Sequence, residues 1–164
     1  MGVKFYGDSC MQELLNYAKL TGPVLSGLSI FVGVIYFILN IKRDRVKQTL
    51  DYWEKVNQQL KVEKREFLQD YGTAISSEMA ELILNDGDEE VSINRVINIY
   101  ERLALGINTG AYDLKTLNRL TGQNIINNFN RYEQYIVARR EKLGRSFAWK
   151  EFEILANKLK KMRR

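Results

Sequence analysis

Two kinds of side chain in this sequence could carry chemistry: carboxylates and cations. Glu78, Glu81, Glu101 and Glu133 sit in segments of helical pattern, where two acids on one face could share general acid and base work. No spacing singles out such a pair. Histidine, the commonest general base and metal ligand, is absent from all 164 residues. Cys10 is the single thiol, so no disulfide can form within the chain, and nothing local marks it as reactive. There is no Gly-rich phosphate loop and no Gly-x-Ser-x-Gly nucleophile turn. The acids of "NDGDEE" lack the alternating ligand positions and closing Glu of a calcium loop, and read as a solvated loop. The expectation is a protein that is not an enzyme and carries no cofactor and no metal.

The cations form two runs: Arg139, Arg140, Lys142 and Arg145, then Lys158, Lys160, Lys161, Arg163 and Arg164. Cations favour helix C-termini, and such runs are usually solvated. They can also meet anionic lipid headgroups or nucleic-acid phosphates. No nucleic-acid-binding module is visible, so nucleic acid is the less favoured partner and membrane lipid the more favoured one.

The element that dominates the chain is "GPVLSGLSIFVGVIYFILNIKRDRVK". From Leu20 to Ile41 run 22 uncharged residues, and twelve of positions 23–41 are Leu, Ile, Val or Phe. About 20 apolar residues cross a bilayer core of roughly 30 Å. A buried helix rarely runs this long without a polar face, and a cleaved signal would show a shorter run and a small-residue cleavage site. A transmembrane helix over 23–41 is therefore expected. Lys42, Arg43, Arg45 and Lys47 follow it, against Lys4 and Lys19 before it. That asymmetry turns the C-terminal side toward the cytoplasm and the N-terminus outward.

Within the span, Gly22, Ser26, Ser29, Gly33, Tyr36 and Asn40 recur in steps of four and three, a small-residue seam on which two membrane helices can pack. A homodimer is a partner state this seam allows. Before the span, residues 1–22 hold "SCMQELLNYAKL", with a capping-box pattern at Ser9 and Gln12, read as a short amphipathic helix.

After the span, residues 42–72 read as a juxtamembrane amphipathic helix. Val46, Leu50, Trp53, Leu60, Phe67 and Tyr71 form its stripe, with Asn57 and Lys64 in the gaps and Gly72 as its stop. This stripe suits either a coiled coil between chains or packing on its own domain. Residues 73–164 read as helices throughout: one ending near Asn85, one capped by Ser92 and carrying Ile93, Val96, Ile97, Tyr100, Leu103, Ala104 and Ile107. Asp113 caps a short helix, another starts near Gln123, and Ser146 caps the last. The fold class is all-α: a single transmembrane helix, a long amphipathic helix and a small cytoplasmic helical domain.

Residues 97–113, "INIYERLALGINTGAYD", carry a pattern of aromatic-Glu, small-Leu-Gly-Ile and Gly-x-x-Asp at Tyr100, Glu101, Ala104 to Ile107, Gly110 and Asp113. With the later "ARR" and "FEILANK", the chain resembles the domain of unknown function 4760 family over about residues 93–158. The resemblance implies a membrane-anchored helical domain in a bacterial or phage setting, and no catalytic residues. Physically, Tyr100, Glu101, Gly106, Gly110 and Asp113 read as structural. A glycine inside a helix costs about 1 kcal/mol against alanine, so Gly106 marks the close approach of a neighbouring helix. Gly110 suits a left-handed cap and Glu101 a capping or surface partner.

The resulting expectation is a single-pass protein of the bacterial inner (cytoplasmic) membrane. It acts through contacts of its helical domain with a protein partner whose identity the sequence withholds. In the setting the resemblance implies, its task is phage defence by superinfection exclusion. The alternatives are a membrane-permeabilising oligomer and a tethered nucleic-acid- or lipid-binding module.

Overall fold

Long amphipathic and uncharged runs with a single proline favour helix, and the described residues form five helices. The computed structural model describes residues 7–67 and 74–163. In chain order they form α1 (Gly7–Phe67), α2 (Ser77–Asn85), α3 (Gly87–Asn108), α4 (Leu114–Leu143) and α5 (Lys150–Met162). No strand occurs among the described residues. The chain divides into two units, Met1–Arg43 and Asp44–Arg164.

In the first unit α1 starts at Gly7 and continues through Pro23, so the expected N-terminal helix is not a separate element. Every residue from Pro23 to Leu39 is exposed, including Ile30 at 69% and Phe31 at 63%. The segment is long and apolar enough to cross a membrane. Its hydroxyls bond inward: Thr21 Oγ1 donates to the Tyr17 carbonyl at 2.7 Å and Ser29 Oγ to that of Leu25 at 2.9 Å. Such back-bonding removes the polar groups that would be costly in lipid.

The second unit closes a core of its own. α5 packs on α3 and α4, and α2 on the same two helices. At the centre Tyr100 stacks on Phe152 with ring centroids 4.8 Å apart and an interplanar angle of 7°. Phe129 meets Phe152 edge-on at 5.3 Å. Burial pushes the Tyr100 and Tyr135 phenols well above their ordinary range, and the Tyr135 hydroxyl donates to Asn94 Oδ1 at 2.8 Å. The expected stripe of α3 is the observed one, with Ile93, Val96, Ile97, Tyr100, Leu103, Ala104 and Ile107 all buried.

Four expectations change among the helices after α1. The acids after Asn85 are not a loop but the first turn of α3, with Asp86 as N-cap accepting from the Asp88 and Glu89 N–H groups. Acids are favoured there by the positive end of the helix dipole. Ser92 consequently lies inside the helix. The short helix from Leu114 and the one near Gln123 are a single α4, because Gly122 continues the helix. Its missing side chain leaves room for the Arg163 guanidinium, 2.9 Å from where a Cβ would stand. Finally, α5 begins at Lys150, not after Ser146. Trp149 precedes it at φ 53°, a left-handed backbone that bulky residues rarely adopt.

The stripe of α1 is also rotated. Thr49, Val56 and Leu60 are buried, with Val46, Tyr52 and Trp53 half-buried, while Leu50 remains 43% exposed. Val56 and Leu60 belong to the core of the second unit, so this part of α1 packs on its own domain. Gly72 and Tyr71 lie outside the described residues, as do the side chains of Lys64 and Phe67.

Candidate functional site

The residues of the 97–113 pattern build a joint at the end of α3. There Thr109 Oγ1 donates to the Leu105 carbonyl at 2.8 Å. Gly110, at φ +79°, turns the chain so that the Tyr112 N–H reaches back to the Gly106 carbonyl at 3.0 Å. This is the left-handed termination that glycine permits without a Cβ penalty. The turn lays the Tyr112 ring over Gly106, where an added Cβ would fall 2.2 Å from Tyr112 Cε2. The close approach at Gly106 is thus made not by a neighbouring helix, as expected, but by an aromatic ring from the following loop. Tyr52 of α1 stacks on that ring at 4.9 Å and 23°.

Beside the stack, the Asp113 N–H donates to Thr49 Oγ1 at 2.7 Å, and the same hydroxyl donates to the Arg45 carbonyl at 2.6 Å. Asp113 Oδ1 accepts from the Thr116 N–H and hydroxyl, both at 2.7 Å, and so caps α4. A chain of contacts therefore runs from α3 through Tyr112 and Asp113 to α1.

Gly106→Ala should destabilise the protein by a net of about 1–2 kcal/mol, overpacking outweighing the gain in helix propensity. In a Tyr112→Ala background the same change should become neutral or stabilising. Thermal unfolding of the four proteins of this cycle checks the reversal.

Glu101 performs the second task. Its carboxylate accepts from the Glu151 N–H at 3.2 Å and the Phe152 N–H at 2.7 Å, at the start of α5. Trp149 provides no side-chain cap to that helix. Glu101, fifty positions away, replaces it. Asn108 adds to the clasp, donating to the Glu151 carbonyl at 3.2 Å and to its Oε2 at 2.7 Å. Trp149 Nε1 donates to Asn98 Oδ1 at 2.7 Å, which anchors the left-handed residue.

Burial lifts the Glu101 carboxyl above its ordinary range, although its two N–H donors pull the other way. For Glu153 burial also acts upward, but hydrogen bonds from Arg140 and Lys150 outweigh it and hold the carboxyl low. These shifts have opposite signs in stability. Glu153, depressed on folding, contributes above its unfolded value of 4.5, and the contribution fades as pH falls through the folded value. Glu101, raised on folding, contributes most below 4.5 and loses that contribution as pH climbs through its folded value. The deficit of Glu153→Gln against wild type should therefore shrink on acidification. That of Glu101→Gln should shrink on raising the pH, as read by urea unfolding at several pH values.

Of the other acids considered from sequence, Glu81 and Glu133 are exposed. Glu78 stands in the first turn of α2, held low by its backbone hydrogen bond and by Ser76. Three members of the first basic run are held by the fold, two of them by carboxylates, while Arg145 is exposed. Arg139 pairs with Glu90, Arg140 with Glu153 at 2.9 Å, and Lys142 donates to the Leu84 carbonyl at 2.5 Å. Lys42, Arg43, Arg45 and Lys47 are all exposed. Ser26, Ser29, Gly33 and Tyr36 lie exposed along α1, with Asn40 half-buried; Gly22 is in the same helix.

Sequence reasoning missed Thr49, Tyr52 and Tyr112. A signal for Thr49 existed: 46, 49, 53, 56 and 60 repeat in steps of three and four as well as the chosen stripe does. A buried threonine disguised it.

A family model described as Domain of unknown function (DUF4760) matches residues 23–159. The chain belongs to the DUF4760 family. The match covers the apolar segment and most of the helical unit, so both lie within the DUF4760 pattern. Searches of curated proteins and of solved structures return no match. The joint and the Glu101 clasp are thus features of a DUF4760 chain described from its own geometry.

Proposed function

We propose that this DUF4760 chain is a single-pass protein of the bacterial inner membrane, with its N-terminus outward. Its helical unit works in the cytoplasm through contacts with another protein. The observation that carries this reading is a contrast within α1. Residues 23–39 expose apolar side chains on every face, whereas Thr49, Val56 and Leu60 are buried in the helical unit. An unpaired apolar helix of that length suits lipid, and the folded unit that follows it in the chain suits water. The carboxylates that stand out are engaged in holding helices together, which fits an adaptor better than a catalyst. In the setting the family resemblance implies, the task is exclusion of an incoming phage.

Topology is tested with Cys10, the only thiol in the chain. A membrane-impermeant maleimide should label it in spheroplasts without detergent. Labelling only after permeabilisation reverses the orientation.

Self-association through the seam is part of the same reading. A Cβ at Gly33 meets nothing within 4 Å in this chain. Bulky residues at Ser29 and Gly33 therefore have room within the monomer, and a lost signal reports contact between chains. Leucine at both positions should lower a membrane two-hybrid signal severalfold; an unchanged signal rejects the seam.

A further inference from the structure

The two basic runs meet different fates on folding. In the first, Arg139 pairs with Glu90 and Arg140 with Glu153. The second has no carboxylate: among the described residues Lys160, Lys161 and Arg163 form no ion pair. Arg163 donates to Asn118 Oδ1 at 2.7 Å and to its carbonyl at 2.5 Å, and Lys160 lies over the Phe129 ring at 5.4 Å. These partners are neutral, so the positive charge stands uncompensated.

The same contacts locate it. Arg163 on Asn118 puts the end of α5 beside the first two turns of α4, where Lys115 and Arg119 are exposed. The Asp113–Thr49 bond puts the start of α4 against α1, one turn after Arg45. Cations of three helices thus gather where the chain enters this unit from the span. Asp44, Asp51 and Glu54 on that stretch of α1 and Asp113 at the start of α4 are the acids there, and the cations of the three helices outnumber them. Among the cations, Leu120 is 46% and Met162 44% exposed. Asp86, Asp88 and Glu89 stand together at the far end of α3.

We propose that this basic end of the helical unit docks on the anionic lipid surface of the membrane that the span enters, its cations on headgroup phosphates and Leu120 and Met162 at the interface. The inference rests on the anchored reading above. Lipid is the occupant favoured by position, since the basic end is the one the chain enters from the apolar segment. It is also favoured by the exposed apolar pair, which a phosphate backbone would not need.

The test uses the full chain carrying Cys10→Ser and Met162→Cys, reconstituted in nanodiscs of zwitterionic lipid with or without anionic phosphatidylglycerol. The readout is the labelling rate of the introduced thiol by a water-soluble maleimide. A single basic residue near an anionic surface changes association about fivefold, so labelling should slow by at least roughly that factor in anionic discs. High salt should restore the rate, as should Lys115→Glu with Arg119→Glu and Lys161→Glu; the salt arm stands even if that variant fails to fold. Equal rates in the two lipids overturn docking. Slowing by added duplex DNA but not by anionic lipid also overturns it, in favour of nucleic acid. A chain that does not enter the discs at all overturns the anchored reading itself, a distinguishable result.

Discussion

Removal of residues 1–41 should move the protein completely from the membrane to the soluble fraction while leaving its helical unit folded. Twelve Leu, Ile, Val and Phe residues lie between positions 23 and 41. At about 0.3–0.6 kcal/mol each near the bilayer centre, they favour insertion by roughly 4–7 kcal/mol before the polar residues are subtracted. None of the buried core residues of the helical unit lies in the deleted part, the earliest being Thr49 and Val56. Circular dichroism should therefore show an intact cooperative melt for residues 42–164.

Activity should be lost even so. Tethering supplies a high effective concentration, which permits a weak affinity for a membrane-resident target. Released into the cytoplasm, the unit would face that weak affinity unaided. Plaque formation on cells expressing each form is the readout for the phage-exclusion reading. An unrelated single-pass helix should restore protection if tethering suffices, and fail if the seam is needed. Full protection by residues 42–164 would rule out the tethering mechanism. Equal plaquing on all strains across a broad phage panel would remove the exclusion reading and leave an anchored adaptor.

The second large effect is expected at Glu101. Glu101→Ala leaves the Glu151 and Phe152 N–H groups without their acceptor, next to a buried aromatic stack. Hydrogen bonds to charged groups contribute about 1.5–3 kcal/mol each, and a half-exposed site takes less, so a loss of about 2–4 kcal/mol is expected. α5 has no side-chain cap at Trp149 to take over. Glu101→Gln keeps one acceptor and should fall between alanine and wild type. Hydrogen exchange should show the loss concentrated in the first turn of α5, before global unfolding. Uniform exchange along α5 in the alanine variant would contradict the capping role.

The sequence by itself determined what depends on near neighbours along the chain. The uncharged run from Leu20 to Ile41, the buried stripe of α3, the left-handed Gly110 and the Asp113 cap each follow from residues within a turn or two. Helical period, capping chemistry and the backbone freedom of glycine act over that range. Tertiary structure decided what depends on partners far along the chain. Glu101 reaches α5 across fifty positions, Thr49 meets Asp113 across sixty-four, and Gly106 makes room for a ring that Tyr52 covers. The choice between Thr49 and Leu50 as the inward residue of α1 was made by the loop it packs against. So was the division of the basic runs, since Glu90 and Glu153 lie beside one and not the other. Such pairings leave no period in the sequence, because each is fixed by where two remote backbones happen to meet.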